Sequence, residues 1–266
     1  SIISEQRAIV GEIDISGESS LQQGTLSISG SYDAGNLILE SGKITFNTKT
    51  GCFYTSEGAY GTGIFSEQST LTESGETWNW ETCTFEFGHV DLGPEVSVEL
   101  LGNKPLIIKT VAGGDIKIST DMILDGEDAS LLNGFGGVGR LNPWNGVNAQ
   151  SADGNGPHAN KAIDGSGKSA GFSNPEGLLL PGSSGSSGSL FQGSGSGGGA
   201  FSLDADGDII ISTGALLSAS GGKGRSDQIS IYRGGSGSGG SIHLSGKNIF
   251  NKGMIRCLGG DESAAD

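Results

Sequence analysis

The sequence that decides the fold is written twice near the end of the chain. Residues 193–224 read GSGSGGGAFSLDADGDIIISTGALLSASGGKG, and residues 235–260 read GSGSGGSIHLSGKNIFNKGMIRCLGG. Each copy contains a glycine–serine run, an alternating strand, a polar turn, a second short strand, a glycine, a third strand and a glycine pair. Repeats of this length are typical of solenoids and arrays. The alternation of apolar residues within each copy predicts strands with one buried face.

The copies align through their apolar residues and glycines. The aligned positions are Phe201 and Leu203 with Ile242 and Leu244, Gly214 with Gly253, Leu216 with Ile255, and Gly221-Gly222 with Gly259-Gly260. A shorter copy lies upstream at residues 113–128, GGDIKISTDMILDGED. In it we expect Ile116 and Ile118 to take the positions of Phe201 and Leu203.

The short predicted strands favour a solenoid, because they are too short for a broad antiparallel sheet but long enough for one side of a coil. Successive coils would lie about 4.8 Å apart, and each would bury its apolar face only against its neighbours. We therefore predict an all-β fold, a parallel β-helix. An antiparallel β-sandwich is the alternative, since hairpin turns also use Gly, Asn and Asp.

The pattern divides the chain into three parts. Residues 1–133 are a strand-rich part of the solenoid, residues 134–199 a Gly/Ser/Asn-rich excursion, and residues 200–266 the C-terminal repeats. The expected inward pairs of the first part are Ile13/Ile15, Leu26/Ile28, Leu37/Leu39 and Ile44/Phe46. We expect the excursion to pack against the side of the solenoid through Trp144, Phe172, Leu180 and Phe191.

Composition narrows the function classes. The chain has 50 glycines in 266 residues and only 34% hydrophobic residues, which is unusual for a globular enzyme. A formal net charge of −15 argues against nucleic-acid binding, which needs clustered Lys and Arg. No run of 18 apolar residues exists, so no membrane insertion is expected in this segment.

Three cysteines leave one unpaired. Cys52 and Cys83 lie in the strand-rich first part beside Phe53 and Phe85, and we predict a disulfide between them, which would imply an oxidising compartment. Cys257 is interpreted as a buried free thiol or as a link to another chain.

Two groups are candidate binding residues. Asp204, Asp206 and Asp208 in LDADGDII resemble a calcium loop only superficially, because glycine is fourth rather than sixth and alanine replaces the twelfth-position glutamate. A tight turn explains them better than calcium binding, and no other cofactor is expected. Trp78 and Trp80 share one face of a strand. They fill the core or, alternatively, form a carbohydrate-stacking platform.

The repeats resemble the glycine-rich right-handed β-helix repeats of large secreted and surface proteins, with the pattern G-G-S-G-G-S-I-x-I-x-x-x-x-I-x-x-x-G-x-I-x-x-x-G-G. The matching residues are 235–260, 193–222 and, less exactly, 113–126. The resemblance implies an architecture like pectin-lyase-like helices and adhesin passenger domains, many of which are non-catalytic parts of cell surfaces, fibres or flagellar hairs. Fold resemblance does not fix function.

The expected function is a non-catalytic structural or adhesive segment at the cell surface or outside the cell, which assembles with copies of itself or other extracellular proteins by solenoid stacking. Open solenoid ends present unpaired backbone groups, which favours such assembly. The alternatives are a carbohydrate- or calcium-dependent binding module and, with less support, a polysaccharide lyase or hydrolase. The last would need carboxylates converging on one face.

Overall fold

The computed structural model describes residues 35–71, 77–128, 141, 143, 178–185, 194–224 and 235–260. All regular structure in these residues is β, which confirms the predicted all-β class. The strands are β1 (Leu37–Asn47), β2 (Cys52–Thr55), β3 (Tyr60–Thr62), β4 (Ile64–Leu71), β5 (Thr77–Phe87), β6 (Val90–Leu101), β7 (Leu106–Thr110), β8 (Ile116–Ile118), β9 (Met122–Ile123), β10 (Ala200–Asp204), β11 (Ile209–Ile211), β12 (Leu216–Ser218), β13 (Ser241–Ser245), β14 (Ile249–Asn251) and β15 (Met254–Arg256).

The strands form three sheets: the seven- and five-stranded sheets are mixed, and the three-stranded sheet is parallel. Their orders are β14-β11-β8-β6-β1-β2-β3, β13-β10-β7-β5-β4 and β15-β12-β9. Among the described strands, antiparallel pairing is confined to β1–β2, β2–β3 and β4–β5, and every other pair is parallel. An antiparallel sandwich therefore does not describe this architecture.

Three consecutive units supply strands to the sheets in the same order. Unit 1 is β7–β9, unit 2 is β10–β12 and unit 3 is β13–β15, and each gives one strand to the five-, seven- and three-stranded sheets in turn. Corresponding strands of neighbouring units pair in parallel. The predicted first part (1–133) and last part (200–266) of the chain thus share all three sheets.

The register confirms the main alignment of the repeats, since Phe201 pairs with Ile242 and Leu203 with Leu244. The placement of the upstream copy was wrong. Ile116 and Ile118 pair with Ile209 and Ile211, whereas Phe201 and Leu203 pair with Leu106 and Ile108. The upstream unit begins earlier than predicted, at the strand Leu106–Thr110, and an Ile-x-Ile strand resembles either position.

The last strand of the repeat was misaligned by one residue. Ile255 pairs with Leu217 rather than with Leu216. Leu217 is fully buried, whereas Leu216 is only half-buried. Strand side chains alternate between faces, so a shift of one residue exchanges the inward and outward faces.

The hydrophobic core runs through all three sheets. The inward side chains of unit 2 are completely shielded from solvent: Phe201, Leu203, Ile209, Ile211 and Leu217. The predicted inward pairs Leu37/Leu39 and Ile44/Phe46 are also buried. The pairs Ile13/Ile15 and Leu26/Ile28 lie outside the described residues. Each inward row is formed by strands from successive units, so the units bury one another.

An aromatic cluster fills the core where β1, β2 and β5 meet. Phe53 lies 5.1 Å from Phe87 and 5.8 Å from Phe85 between ring centroids, and Phe46 lies 5.3 Å from Phe85. These separations are those of favourable edge-on and tilted aromatic pairs. Much of the aromatic content of the first part is therefore structural.

The glycine-rich segments form a second packed layer beside the sheets, outside any strand. The segments are 124–128, 178–185, 194–199, 219–224, 235–240 and 257–260. Their backbone hydrogen bonds to a given neighbour recur every third residue, as in Gly182 N–H to the Gly198 carbonyl and Gly185 N–H to the Gly195 carbonyl. A polyproline II helix has three residues per turn and no internal hydrogen bonds, so this three-residue spacing is typical of polyproline II segments.

The segment at 194–199 lies in the middle of this glycine layer. It donates to residues 124–128 through Ser196 and Gly199, and to residues 235–240 through Gly195 and Gly198. It accepts hydrogen bonds from Gly182, Gly185 and Gly222. The predicted packing of the excursion is confirmed for its described residues, among which Leu179 and Leu180 are buried. Trp144, Phe172 and Phe191 lie outside the described residues.

Glycine is required in this layer because backbones contact one another directly. A Cβ at Gly198 would overlap the carbonyl oxygen of Ala219, and one at Gly197 would overlap that of Gly182. A Cβ at Gly259 would lie 3.9 Å from its nearest neighbour, the Gly237 oxygen. The first two positions therefore exclude a side chain, whereas the third tolerates a methyl group.

We predict that Gly198→Ala lowers the free energy of unfolding by about 1–3 kcal/mol, the cost of overpacking a close contact. The matched control Gly259→Ala should change it by less than about 1 kcal/mol, because the site is open and alanine reduces unfolded-state entropy. Urea unfolding followed by circular dichroism measures both values. Equal destabilisation by the two substitutions would contradict the close-packed glycine layer.

Candidate functional surface

The three predicted calcium ligands lie at the end of β10 and in the turn that leads to β11, and the side chains of Asp206 and Asp208 contact different partners. The Asp206 carboxylate accepts the backbone N–H of Gly113 at 2.6 Å, and Asp208 accepts the Asn248 side-chain amide at 2.8 Å. Asp204 ends β10, where it pairs with Lys109 and Ser245. Within the described part of the chain no three His, Cys, Asp or Glu side chains converge as a metal site. These contacts favour the turn interpretation, and calcium binding stays a prediction.

Acidic side chains elsewhere join one unit to the next. Each of four aspartates after β7 accepts a backbone N–H from the next unit or the glycine segment behind it: Asp115 from Asp208, Asp121 from Leu216, Asp125 from Ser220 and Asp128 from Lys223. The distances are 2.6–2.9 Å. Asp125 also accepts the Ser218 hydroxyl and pairs with Arg256 at 3.3 Å. These carboxylates accept hydrogen bonds from backbone N–H groups that strand pairing does not use.

Trp80 cannot contribute a face to the predicted stacking platform. Trp80 is only 4% exposed, so its ring presents no face to a sugar. Trp78 pairs with Thr70 in the β4–β5 ladder, and its side chain lies outside what the structure describes. The carbohydrate prediction loses Trp80, and for that residue the core interpretation is confirmed.

The predicted Cys52–Cys83 disulfide is not formed in the structure, where both residues are free thiols. Cys52 alternates with the buried Phe53 and lies beside the Tyr60 hydroxyl, 3.0 Å from its oxygen. Cys83 lies in the core with Phe85, and burial raises the pKa of its thiol to about 12. The Cys83 side chain faces the core, whereas the Cys52 side chain lies on the face of β2 opposite to the buried Phe53. Cys257 is an exposed free cysteine, so its predicted burial was wrong.

The feature that distinguishes one end of the sheets is the terminal edge, which we define as β13, β14 and β15. Each of these strands is the last in its sheet. Ile249 is 46% exposed and Ile255 is 36% exposed. Their partners one unit earlier, Ile209 and Leu217, are fully buried. The same inward positions are thus covered within the stack of strands and uncovered at the terminal edge.

The charge of the terminal edge also differs from that of the chain. The whole protein carries a formal net charge of −15, yet residues 241–260 contain Lys247, Lys252 and Arg256 and no aspartate or glutamate. Arg256 pairs with Asp125, whereas Lys247 and Lys252 are exposed. The terminal edge is therefore an apolar surface with a positive rim.

The opposite edge consists of β3 and β4, the last strands of the seven- and five-stranded sheets at the other end. Exposed apolar side chains occur here too: Tyr60, Ile64 and Phe65 lie on these strands, and Tyr54 lies on the adjacent β2. Residues 52–71 contain Glu57 and Glu67 and no lysine or arginine, and both carboxylates are exposed. Lys104 lies over the Phe65 ring but is paired with Glu81, so this edge combines apolar surface with the negative charge of Glu57 and Glu67.

Sequence reasoning anticipated open ends but did not identify the residues that form them. The signal was present in the composition, since residues 241–260 are a basic segment in an acidic chain. The exposure of Ile249 and Ile255 could not be read from their pattern, which matches that of buried residues in the preceding unit.

No protein-family model, curated protein or solved structure matches this chain. No helix in the described residues is long and apolar enough to cross a membrane.

We predict that thiol labelling separates the cysteines by burial. In the native protein, iodoacetamide should modify the exposed Cys257 and leave the core thiol of Cys83 unmodified, because burial keeps it protonated and out of contact with the reagent. After unfolding without reductant, mass spectrometry should find all three cysteines labelled. A labelled Cys257 with Cys52 and Cys83 joined would contradict the structure and restore the predicted disulfide.

Proposed function

We propose that this chain is a non-catalytic structural or adhesive segment of an extracellular fibre, flagellar hair or cell-surface protein. In this proposal it folds as a right-handed parallel β-helix and assembles with copies of itself, or with other extracellular proteins, by stacking of its ends. Units 1–3 support the fold proposal, because each returns to the five-stranded sheet and adds one parallel strand to every sheet. Crossover connections between parallel strands are right-handed in almost all proteins.

The observation that carries the assembly proposal is the terminal edge. Ile249 and Ile255 occupy inward positions, and their apolar surface remains in contact with solvent. Edge strands also present a row of unpaired backbone groups, which is a template for pairing with another chain. A further layer of strands would cover both, at about 25 cal/mol for each Å² of apolar surface removed from water.

The roles of the acidic residues support a scaffold. Asp115, Asp121 and Asp125 hold backbone amides of the next unit, and Lys117 pairs with Asp91 across neighbouring strands at 3.0 Å. These side chains are used to connect strands and turns. A polysaccharide lyase or hydrolase would instead place carboxylates around a substrate cleft. The binding-module alternative loses Trp80 as a support, because that side chain is buried.

We predict concentration-dependent self-association of the purified chain. Sedimentation velocity over a wide concentration range should show the sedimentation coefficient rising with concentration, because stacking buries the terminal edge. The variant Ile249→Asp, which places a charge in the uncovered apolar surface, should shift this rise to higher concentration. Its matched control is Ile38→Asp, an exposed isoleucine in β1, which has a neighbouring strand on each side. A wild-type chain that stays monomeric throughout would contradict the proposal.

A further inference from the structure

We infer that copies of this chain stack head to tail, with the terminal edge of one copy against the opposite edge of the next. The inference rests on the proposed function, since it names the partner surface in that stacking. Large exposed apolar side chains in the described residues concentrate at these two edges: Tyr54, Tyr60, Ile64 and Phe65 at one, and Ile249, Phe250, Met254, Ile255 and Leu258 at the other. Each edge therefore exposes apolar surface that contact with another chain would remove from water.

The charges of the two edges indicate which surface each edge contacts. The terminal edge carries the exposed Lys247 and Lys252, and the opposite edge carries the exposed Glu57 and Glu67. Contact between two terminal edges would bring lysines together, whereas contact between unlike edges brings lysine to glutamate. Complementary charges mainly fix which surfaces meet and in which orientation, while apolar burial supplies the affinity. Head-to-tail contact is the arrangement that satisfies both.

The sheets themselves favour the same arrangement. β13 and β4 are the two outermost strands of the five-stranded sheet, and β14 and β3 are those of the seven-stranded sheet. A copy added head to tail meets edge strands with edge strands and extends both sheets. The two contacting surfaces differ and lie at opposite ends of the sheets, so repeated head-to-tail contact adds copies in one direction as a polar filament.

A charge-swap series tests the polarity. The terminal variant Lys247→Glu/Lys252→Glu has two acidic edges, and the opposite variant Glu57→Lys/Glu67→Lys has two basic edges. We expect each variant alone to self-associate at least about tenfold more weakly than wild type, because unlike edges have become like edges. An equimolar mixture of the two, and a chain carrying all four changes, should recover association. The control Lys223→Glu changes an exposed charge outside both edges and should associate as wild type does.

The outcomes separate this inference from the proposed function. Sedimentation velocity measures association, and circular dichroism checks that each variant is folded. If the opposite variant associates as strongly as wild type while the terminal variant does not, terminal edges pair with each other and the head-to-tail inference is overturned. Association that grows stronger with added salt would overturn it too, since screening weakens attraction between unlike charges. A wild-type chain that never associates overturns the proposed function as well.

Discussion

The backbone hydrogen bonding between successive units is the constraint on which the rest of this structure depends. A strand of three residues, such as β11 or β14, buries too little surface to be stable by itself. It persists because its neighbours in the sheet satisfy its amides and carbonyls and cover its inward side chains. Stability is then a sum of contacts between neighbouring units, so the unit without an outer neighbour is the least protected.

The glycine layer extends this constraint beyond the sheets. After the third strand of each unit the chain enters a glycine-rich segment that makes many of its backbone hydrogen bonds to neighbouring segments. Polyproline II segments cannot satisfy themselves, since they have no internal hydrogen bonds. Glycine lets several such backbones approach closely enough to satisfy one another. The serine–glycine runs are therefore part of the packed structure wherever they are described. Asp125 connects the two layers, because it accepts hydrogen bonds from Ser218 of β12 and from Ser220 in the glycine layer.

Much of the fold followed from apolar alternation, which predicted the all-β class and the pairing of Leu203 with Leu244. The errors arose where local patterns are degenerate. Ile116 was assigned to the wrong sheet because an Ile-x-Ile strand fits either position, and its assignment needs the long-range register. The Cys52–Cys83 disulfide relied on proximity in sequence, although alternation with Phe53 already placed Cys52 on the outward face. The candidate surface depends on which strand lies last in each sheet, which only the assembled topology reveals.

The central claim is that units 1, 2 and 3 lie in parallel register, one strand apart. Spin labels at Lys117, Ile210 and Phe250 test it directly, because these residues occupy one row across β8, β11 and β14. With Cys52 and Cys257 replaced by serine, continuous-wave electron paramagnetic resonance should show the strongest dipolar broadening for neighbouring positions, whose backbones lie about 5 Å apart. It should show weaker broadening for Lys117 and Phe250, whose backbones lie about 10 Å apart. Separations that do not increase in this order, or a Lys117–Phe250 distance several times larger, would contradict the account.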